Sequence, residues 1–366
     1  MMDRAVQQLV GPLPRRKADA SGIEVWNVTD GIASVTGALK RFLVIGTVAE
    51  PASLDQLTYS LNGSAERPVV VRRDENPGVL SRLSAVGDFS IDTIAADELQ
   101  PINELRLTAR THDGEQRTRY VSFAVESIKQ SADGVRLDVE RSEYPQQLCQ
   151  LVDGRWQRAT DADGRPCLRI STADAGYDRV ALFTPPTLEP PYTLSMRVRV
   201  EKWTRRVHNV GLVFGWRDHL SGDGHVLPRD WTTGLGYYYS HSPGLRLRVG
   251  ESVRYDDAGR KFGDRVLAER PLSRRRELLA RASDRIGGGT RLRQIATGRD
   301  YWFRLRATPT RYALSVWPAG RPEPAAQVTA PADEVAAPIG AGGIIAHHCA
   351  VNVYEYHYDV GAGDPP

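Results

Sequence analysis

Residues 192–203 read YTLSMRVRVEKW, and this stretch decides the fold of the larger part of the chain. Polar residues, three of them Ser195, Arg197 and Arg199, alternate along it with apolar ones. Because successive side chains of a strand point to opposite faces, this period of two predicts a strand with one buried and one wet face. The apolar side chains that share the buried face are Leu194, Met196, Val198 and Val200.

Further strands are predicted on both sides of this stretch. The alternation of apolar residues with arginine returns in LRLRVG and FRLRAT, and almost no helical periodicity competes with it. Such a series predicts a large antiparallel β-sandwich. An arginine-rich insertion, residues 270–298, departs from the pattern, and both a short helix and a solvated loop stay open for it. The predicted strands are residues 165–172, 208–218, 233–241, 244–251, 301–309, 311–320, 342–348 and 350–360.

A second, smaller sandwich is predicted at residues 22–129. Short β-rich runs alternate there with turn chemistry such as Asn62-Gly63, and six strands in a segment of this length are typical of a sandwich. The fold class is therefore all-β, with a polar tail at 1–21, a linker at 130–152 and the larger domain at 153–362. The strands predicted in the smaller domain are residues 42–48, 57–63, 68–73, 87–94, 103–114 and 117–128.

Composition excludes several classes of function. The 366 residues carry a net charge of +3, which is too small to indicate binding to nucleic acid. Neither a long apolar run nor an apolar segment near the N-terminus is present, so we expect no membrane insertion and no secretory signal in this chain. We expect synthesis in the cytoplasm, followed by either signal-independent export or association with a particle. The three cysteines lack CxxC spacing and are predicted to be reduced.

The region 150–362 resembles the laminin-G-like branch of the concanavalin A-like lectin/glucanase superfamily. The motifs that carry the resemblance are HNVGLVFGWRD (208–218), GLRLRVGE with DRVLAE (244–251 and 264–269), YWFRLRATPTRYALSVWPAG (301–320) and GGIIAHHCAVNVYEYHYDV (342–360). The resemblance implies a jelly-roll sandwich and, for most members, carbohydrate binding, glycan-active enzymes or adhesion. Many members hold a structural calcium ion, and the residues that would correspond to its ligands here are Asp161, Asp163 and Asp359.

The region 22–129 resembles bacterial immunoglobulin-like or cadherin-like modules. YSLNG (59–63), GDFSI (87–91) and NELRLTARTHDG (103–114) stand in the order that such modules show. Modules of this type mostly serve as spacers, which is what the resemblance implies for this part of the chain.

Candidate ligand-binding residues follow from what sugar recognition requires. A flat ring stacks on the apolar face of a sugar, while charged or polar side chains bond its hydroxyl groups. An alternative interpretation is that these aromatic residues fill the core of the sandwich. The predicted glycan-binding set is Arg217, Asp218, Trp231, Tyr238 and His241.

Three functions stay open, and the leading hypothesis is a non-catalytic carbohydrate-binding or adhesion protein of bacterial type, with a glycan as its partner. The sequence lacks the Glu-x-Asp-x-x-Glu motif of related glucanases, HExxH and a serine nucleophile elbow. The first alternative is a structural component of a phage-like or contractile tail assembly, whose partners are other protein subunits. The second is a polysaccharide lyase or glycoside hydrolase, with His208, Asn209, Tyr238 and His241 as candidate lyase residues. No cofactor besides calcium is predicted.

Overall fold

The structure is a computed structural model of the chain. Among the residues that it describes, every element is a β-strand apart from one turn of 3-10 helix, as the predicted all-β class requires. The described residues are 21–28, 31–35, 41–73, 83, 85–127, 135–137, 139, 148–176, 178–184, 188–205, 208–216, 234–239, 244–249, 254–255, 261–262, 295–332 and 340–361.

The N-terminal sandwich consists of two sheets. One has the strand order β1-β3-β7-β6 and the other β2-β9-β8-β4-β5. All of its strand pairs are antiparallel except β2 with β9, which run parallel. The elements are β1 (Ile23–Val25), β2 (Gly31–Val35), β3 (Arg41–Val48), β4 (Leu54–Leu61), β5 (Arg67–Pro68), β6 (Val70–Val71), β7 (Asp88–Ala95), the 3-10 turn (Ala96–Glu98), β8 (Ile102–Thr111) and β9 (Gln116–Ser127).

The C-terminal sandwich packs an eight-stranded sheet against a six-stranded one. The eight-stranded sheet has the order β12-β13-β25-β15-β21-β22-β23, with β10 also paired to β25, and the six-stranded sheet has the order β11-β14-β24-β16-β17-β18. Strands β19 and β20 pair with each other as a separate two-stranded sheet. The strands of this part of the chain are β10 (Val135–Arg136), β11 (Gln150–Asp153), β12 (Gln157–Thr160), β13 (Pro166–Ile170), β14 (Arg179–Leu182), β15 (Tyr192–Trp203), β16 (Asn209–Trp216), β17 (Gly234–Tyr239), β18 (Gly244–Val249), β19 (Arg254–Tyr255), β20 (Lys261–Phe262), β21 (Asp300–Ala307), β22 (Arg311–Pro318), β23 (Val328–Pro331), β24 (Ala341–His347) and β25 (Cys349–Val360).

The core of the C-terminal sandwich forms where the alternating strands place their apolar side chains. Strand β15 lies between β25 and β21, and its four predicted core residues are all buried. Burying such side chains is the main favourable contribution to folding. Their partners across the core include Leu212 and Phe214 of β16. The period of two in this stretch therefore decides both the strand and its buried face.

Each strand predicted from alternation has a counterpart in the structure. Residues 192–203 form β15 with the same bounds, and most of the others agree to within a few residues at their ends. The predicted strand 68–73 is instead divided into β5 and β6, which belong to different sheets. The residues predicted as linker include β10, whose Val135 pairs with Tyr358 of β25, so part of that segment belongs to the eight-stranded sheet. The insertion 270–298 lies outside the described residues except for 295–298.

The two sandwiches share a buried apolar contact. Leu43 and Ile45 of β3 pack on the side of the six-stranded sheet that faces away from its own core. Asn27 joins the same contact, because its Nδ2 donates to the carbonyls of Leu43 (2.8 Å) and Leu151 (3.1 Å). The N-terminal sandwich thus covers this sheet. The residues on its covered side include Val152, Val180, Leu182, Val213, Trp216, Leu235, Tyr237 and Ile345.

In the described part of the chain, no helix has the length and apolar character that crossing a membrane requires. The three cysteines, Cys149, Cys167 and Cys349, are buried free thiols. Burial raises the pKa of the Cys167 thiol to about 11, so this sulfur is protonated at neutral pH.

Candidate functional site

The eight-stranded sheet has one side packed on the core and one side turned away from it, which we name the outer face. Side chains of β13, β15, β21, β22 and β25 that alternate with the core residues lie on this face. The strand register arranges them in four cross-strand rows. The rows are Arg169–Asn352–Arg199–Asp300, Glu355–Arg197–Trp302–Trp317, His357–Ser195–Arg304–Ser315 and Asp359–Thr193–Arg306–Ala313.

Two tryptophans lie side by side among these polar rows. The rings of Trp302 and Trp317 stack with their centroids 6.3 Å apart and their planes inclined by 20°. The ring of His357 lies 5.8 Å from that of Trp302. Trp317 is buried at 6% exposure, whereas Trp302 is only partly buried. Trp302 therefore presents aromatic surface on a face that core packing does not use.

Charged side chains border the Trp302 ring and hold one another in place. Arg197 is directly opposite Trp302 in the neighbouring strand, and its Nη1 donates to Glu355 Oε1 at 3.0 Å. On the other side Arg304 Nε donates to Ser195 Oγ at 2.9 Å, and the guanidinium of Arg304 lies 5.4 Å from the Trp317 centroid. The ring is thus framed by fixed hydrogen-bond donors and acceptors.

Asp300 at the start of β21 forms ion pairs with three arginines. Its carboxylate accepts hydrogen bonds from Arg165 (2.7 Å), Arg197 (2.8 Å) and Arg199 (2.7 Å). Burial alone would raise the pKa of Asp300, but these hydrogen bonds outweigh it and lower the pKa to about 2. The carboxylate is consequently ionised at neutral pH and neutralises two guanidiniums of β15 and one from the β12–β13 turn.

The turn between β12 and β13 folds over the same face. Asp161 accepts hydrogen bonds from the backbone N–H groups of Asp163 (2.9 Å) and Arg165 (2.8 Å), from the Arg165 guanidinium and from the Tyr354 hydroxyl (2.8 Å). Burial opposes these bonds, yet they hold the pKa of Asp161 well below its ordinary value. Arg165 also lies over the Tyr354 ring at 4.1 Å. The turn is therefore fixed by arginine and tyrosine contacts.

The three aspartates predicted as calcium ligands do not come together. Asp161 and Asp163 share the turn, but their carboxylates pair with Arg165 and Arg199. Asp359 lies five residues beyond Tyr354 on β25, or about 17 Å at the rise of an extended strand. Among the described residues no group of histidine, cysteine, aspartate or glutamate side chains is arranged to hold a metal ion. The donor set does not fit calcium, because arginine already occupies its oxygens.

The predicted glycan-binding set is placed only in part. Arg217, Asp218, Trp231 and His241 lie outside the described residues. Tyr238 of β17 is 2% exposed and belongs to the core between the two sheets, whereas its neighbour Tyr237 faces the N-terminal sandwich. The alternation predicted for this strand is thus confirmed, and it leaves no face of the Tyr238 ring open to a sugar.

A second group of polar side chains surrounds the β24–β25 turn. His347 Nδ1 lies 2.6 Å from Asp178 Oδ1, and the rings of His347 and His348 meet edge to face at 4.3 Å. The ring of His208 stacks on Trp203 at 3.9 Å. Burial, together with the neighbouring His347, lowers the pKa of His348 to about 3. Burial also lowers the pKa of His208. The His208 and His348 side chains are therefore neutral at pH 7.

Sequence reasoning missed Trp302 as an accessible residue of the outer face, although a signal was present. In DYWFRLRA the apolar set is Tyr301, Phe303 and Leu305, so Trp302 is out of phase, alongside Asp300, Arg304 and Arg306. A large aromatic residue in the polar phase of an alternating strand indicates a ring on the wet face.

No family model matches the chain, and no curated protein matches it. Solved structures that align with part of the chain include the VIP36 exoplasmic/lumenal domain in its Ca2+-bound form, at 9% identity and a TM-score of 0.37 over 63% of this chain and 91% of that one. Lectin I-B4 from Griffonia simplicifolia in its metal-free form shows 8% identity and a TM-score of 0.32, over 62% and 98%. The GH43 protein BlXynB from Bacillus licheniformis shows 9% identity and a TM-score of 0.33, over 88% and 63%. Similarity at this level assigns neither a family nor an activity.

Proposed function

We propose that the protein binds carbohydrate on the outer face of the eight-stranded sheet and that it acts by binding rather than by catalysis. The observation that carries the proposal is the position of Trp302, an aromatic ring in the polar phase of β21 with accessible surface. An indole ring offers a flat apolar surface for the C–H face of a pyranose. Its location between charged rows supplies the polar partners that a sugar also needs.

Arginine and carboxylate side chains next to the ring suit sugar hydroxyl groups. Arg197 and Glu355 are bonded to each other and lie in the same cross-strand row as Trp302. A guanidinium donates in a fixed fork and a carboxylate accepts from two oxygens, so the pair can serve both the oxygen and the hydrogen of a hydroxyl. Because the pair is already ordered, ligand binding costs less side-chain entropy.

In this proposal the N-terminal sandwich acts as a spacer in an adhesion protein and packs on the side of the C-terminal sandwich that does not bind sugar. It packs on the six-stranded sheet through Leu43 and Ile45, on the side of the molecule opposite to the outer face. A chain in which one sheet is covered and the other carries the ring is suited to presenting that ring to an extended glycan.

The test is a binding measurement on the full chain and its Trp302→Ala variant, against a panel of neutral and acidic polysaccharides. We expect affinity electrophoresis or calorimetry to show binding by the wild type and at least about a tenfold loss in the variant. Tyr120→Ala is the matched control, since Tyr120 is an exposed aromatic residue of the N-terminal sandwich (37%). Equal affinities of the wild type and Trp302→Ala would contradict the proposal, as would release of cleavage products from the panel.

A further inference from the structure

The segment after β22 returns over the outer face and places a carboxylate on two arginines. Arg304 Nη1 donates to one oxygen of Glu323, and Arg306 Nη1 lies 2.7 Å from the other. The two arginines alternate on β21, so both point to the outer face. They form a fork of two guanidiniums that holds one carboxylate, a geometry that favours planar anions.

Glu323 reaches the fork from a connecting segment rather than from a strand of the sheet. The segment between β22 and β23 is held near its ends, where Arg321 N–H donates to the carbonyl of Pro318 (3.2 Å) and the Val316 N–H donates to Gln327 Oε1 (2.7 Å). The Glu323 side chain is 21% exposed. It can leave the fork without breaking any ladder hydrogen bond.

The sheet beneath the fork contains hydroxyl groups with unused hydrogen-bonding capacity. Ser315 lies directly opposite Arg304, and Thr193 lies directly opposite Arg306. Both side chains are buried, and neither hydroxyl has a hydrogen-bond partner among the described residues. Buried polar groups without partners are costly, so an oxygen-rich ligand in place of Glu323 would gain from hydrogen bonds to these hydroxyls.

The other arginines of the central rows are neutralised differently. Arg197 and Arg199 bond to Asp300, which belongs to the adjacent strand and is fixed by the sheet. For Arg304 and Arg306 the described part of the chain supplies Glu323 as the carboxylate. Departure of Glu323 would therefore leave two positive charges on the outer face beside the tryptophan pair.

We propose that this fork is a subsite for the carboxylate of a hexuronate residue in an acidic polysaccharide, and that Glu323 occupies it until the ligand displaces it. The inference rests on the proposed function, because a sugar stacked on Trp302 brings its neighbour in the polymer towards Arg304. Residues two apart on a strand are separated by about 7 Å, so the ring and the fork serve adjacent sugar residues.

The experiment compares oligogalacturonate with its fully methyl-esterified form, two probes that differ in charge but not in the sugar backbone. In the full chain, Glu323→Gln removes the competing charge and keeps the shape of the side chain. We expect its affinity for oligogalacturonate to rise about fivefold, with no change for the ester, and the gain to shrink as salt is added. Glu66→Gln is the matched control, since Glu66 bridges Arg106 and Arg110 on the N-terminal sandwich.

A second variant keeps the test decisive if the first folds poorly. Arg306→Gln leaves Arg304 and the tryptophan pair in place and should abolish any preference for the acidic probe while the ester still binds. The inference is overturned if Glu323→Gln leaves the ratio of the two affinities unchanged, or if Glu66→Gln changes that ratio equally. Binding of the ester alone by every variant would overturn the uronate subsite but leave carbohydrate binding intact. Loss of the whole panel in the Trp302 experiment would instead remove the proposed function.

Discussion

Three single residues depart from the regular pattern of the sheets. Trp302 is an aromatic residue in a polar phase, and Tyr354 faces the Asp161 turn next to an irregularity in the register between Arg197 and Val198 of β15. His348 has a φ of +50°, in the left-handed region that asparagine and glycine tolerate best. Each departure from the simple pattern brings a polar or aromatic group to a place where neighbouring strands supply partners.

His348 makes the stability of the protein sensitive to mild acid. Its pKa is lowered from 6.5 to about 3 by burial and by the nearby side chains of His347, Arg205, Arg179 and His208. Below pH 6.5 this histidine is therefore protonated in the unfolded chain but stays neutral in the folded chain. The contribution of neutral His348 to the free energy of unfolding is therefore fully present above pH 6.5 and is lost as the pH falls towards 3. We expect His348→Asn to recover on the order of 1–2 kcal/mol of the loss between pH 7.5 and pH 5, measured by urea unfolding.

The matched control for this prediction is His112→Asn. The His112 side chain is 60% exposed beside Asp55, so its removal should leave the slope of stability against pH between 7.5 and 5 nearly unchanged. If His348→Asn and His112→Asn gave the same slope as the wild type, the partly buried His348 would not be the source of acid sensitivity.

Between elements, Asp300 joins β21 to β15 and to the β12–β13 turn. A pKa lowered from 3.8 to about 2 corresponds to about 2 kcal/mol of stability, which is present above pH 4 and is lost as the pH falls through 2. Asp300→Asn leaves Arg165, Arg197 and Arg199 without this charge. In chemical denaturation we expect the free energy of unfolding of the variant to be about 2 kcal/mol lower than that of the wild type at pH 7, and to fall less steeply between pH 4 and pH 2.

Asp55→Asn provides the comparison for the Asp300 variant. The Asp55 carboxylate is 62% exposed, and its replacement should cost less than about 0.5 kcal/mol. Equal losses for the two variants would show that the arginine network around Asp300 contributes nothing beyond an ordinary surface charge.

Strand positions could be predicted from the sequence far better than the site. The period of two in residues 192–203 suffices to place β15, because alternation is a local property that burial enforces. The grouping of Arg165, Arg199 and Asp300 depends on strand order, since these residues come from a turn and two strands that are distant in the chain. The sequence likewise could not show that Asp359 lies several residues along β25 from the part that faces the Asp161 turn, because that distance depends on the register of β25 in the sheet.

Across the whole molecule, the two sandwiches are joined by apolar packing and by one buried amide. Asn27 Nδ2 donates to a carbonyl of each sandwich, while its Oδ1 accepts from the N–H of Ile45 at 2.9 Å. Ile45 is 3% exposed and contacts the six-stranded sheet. We expect a contact of this kind to couple the unfolding of the two parts.

We expect Ile45→Asp to uncouple the sandwiches. A carboxylate in this apolar contact should destabilise the protein by about 3 kcal/mol and split a single calorimetric transition into two. Ile102→Asp is the control, because Ile102 also belongs to the N-terminal sandwich but is 46% exposed. A single transition in both variants, with similar midpoints, would mean that the contact does not couple the two parts.

The covered side of the six-stranded sheet has a practical consequence for any reagent made from this protein. In a fragment that begins at the predicted linker, Val213, Trp216 and Ile345 would become exposed to solvent as a hydrophobic patch. Such a fragment would aggregate and adsorb non-specifically to plastic and to other proteins. A binding screen with it would report this adsorption as false-positive binding. Any fragment used to measure the binding of the C-terminal sandwich, or to graft it onto another protein, should therefore include residues 21–48, which cover this patch.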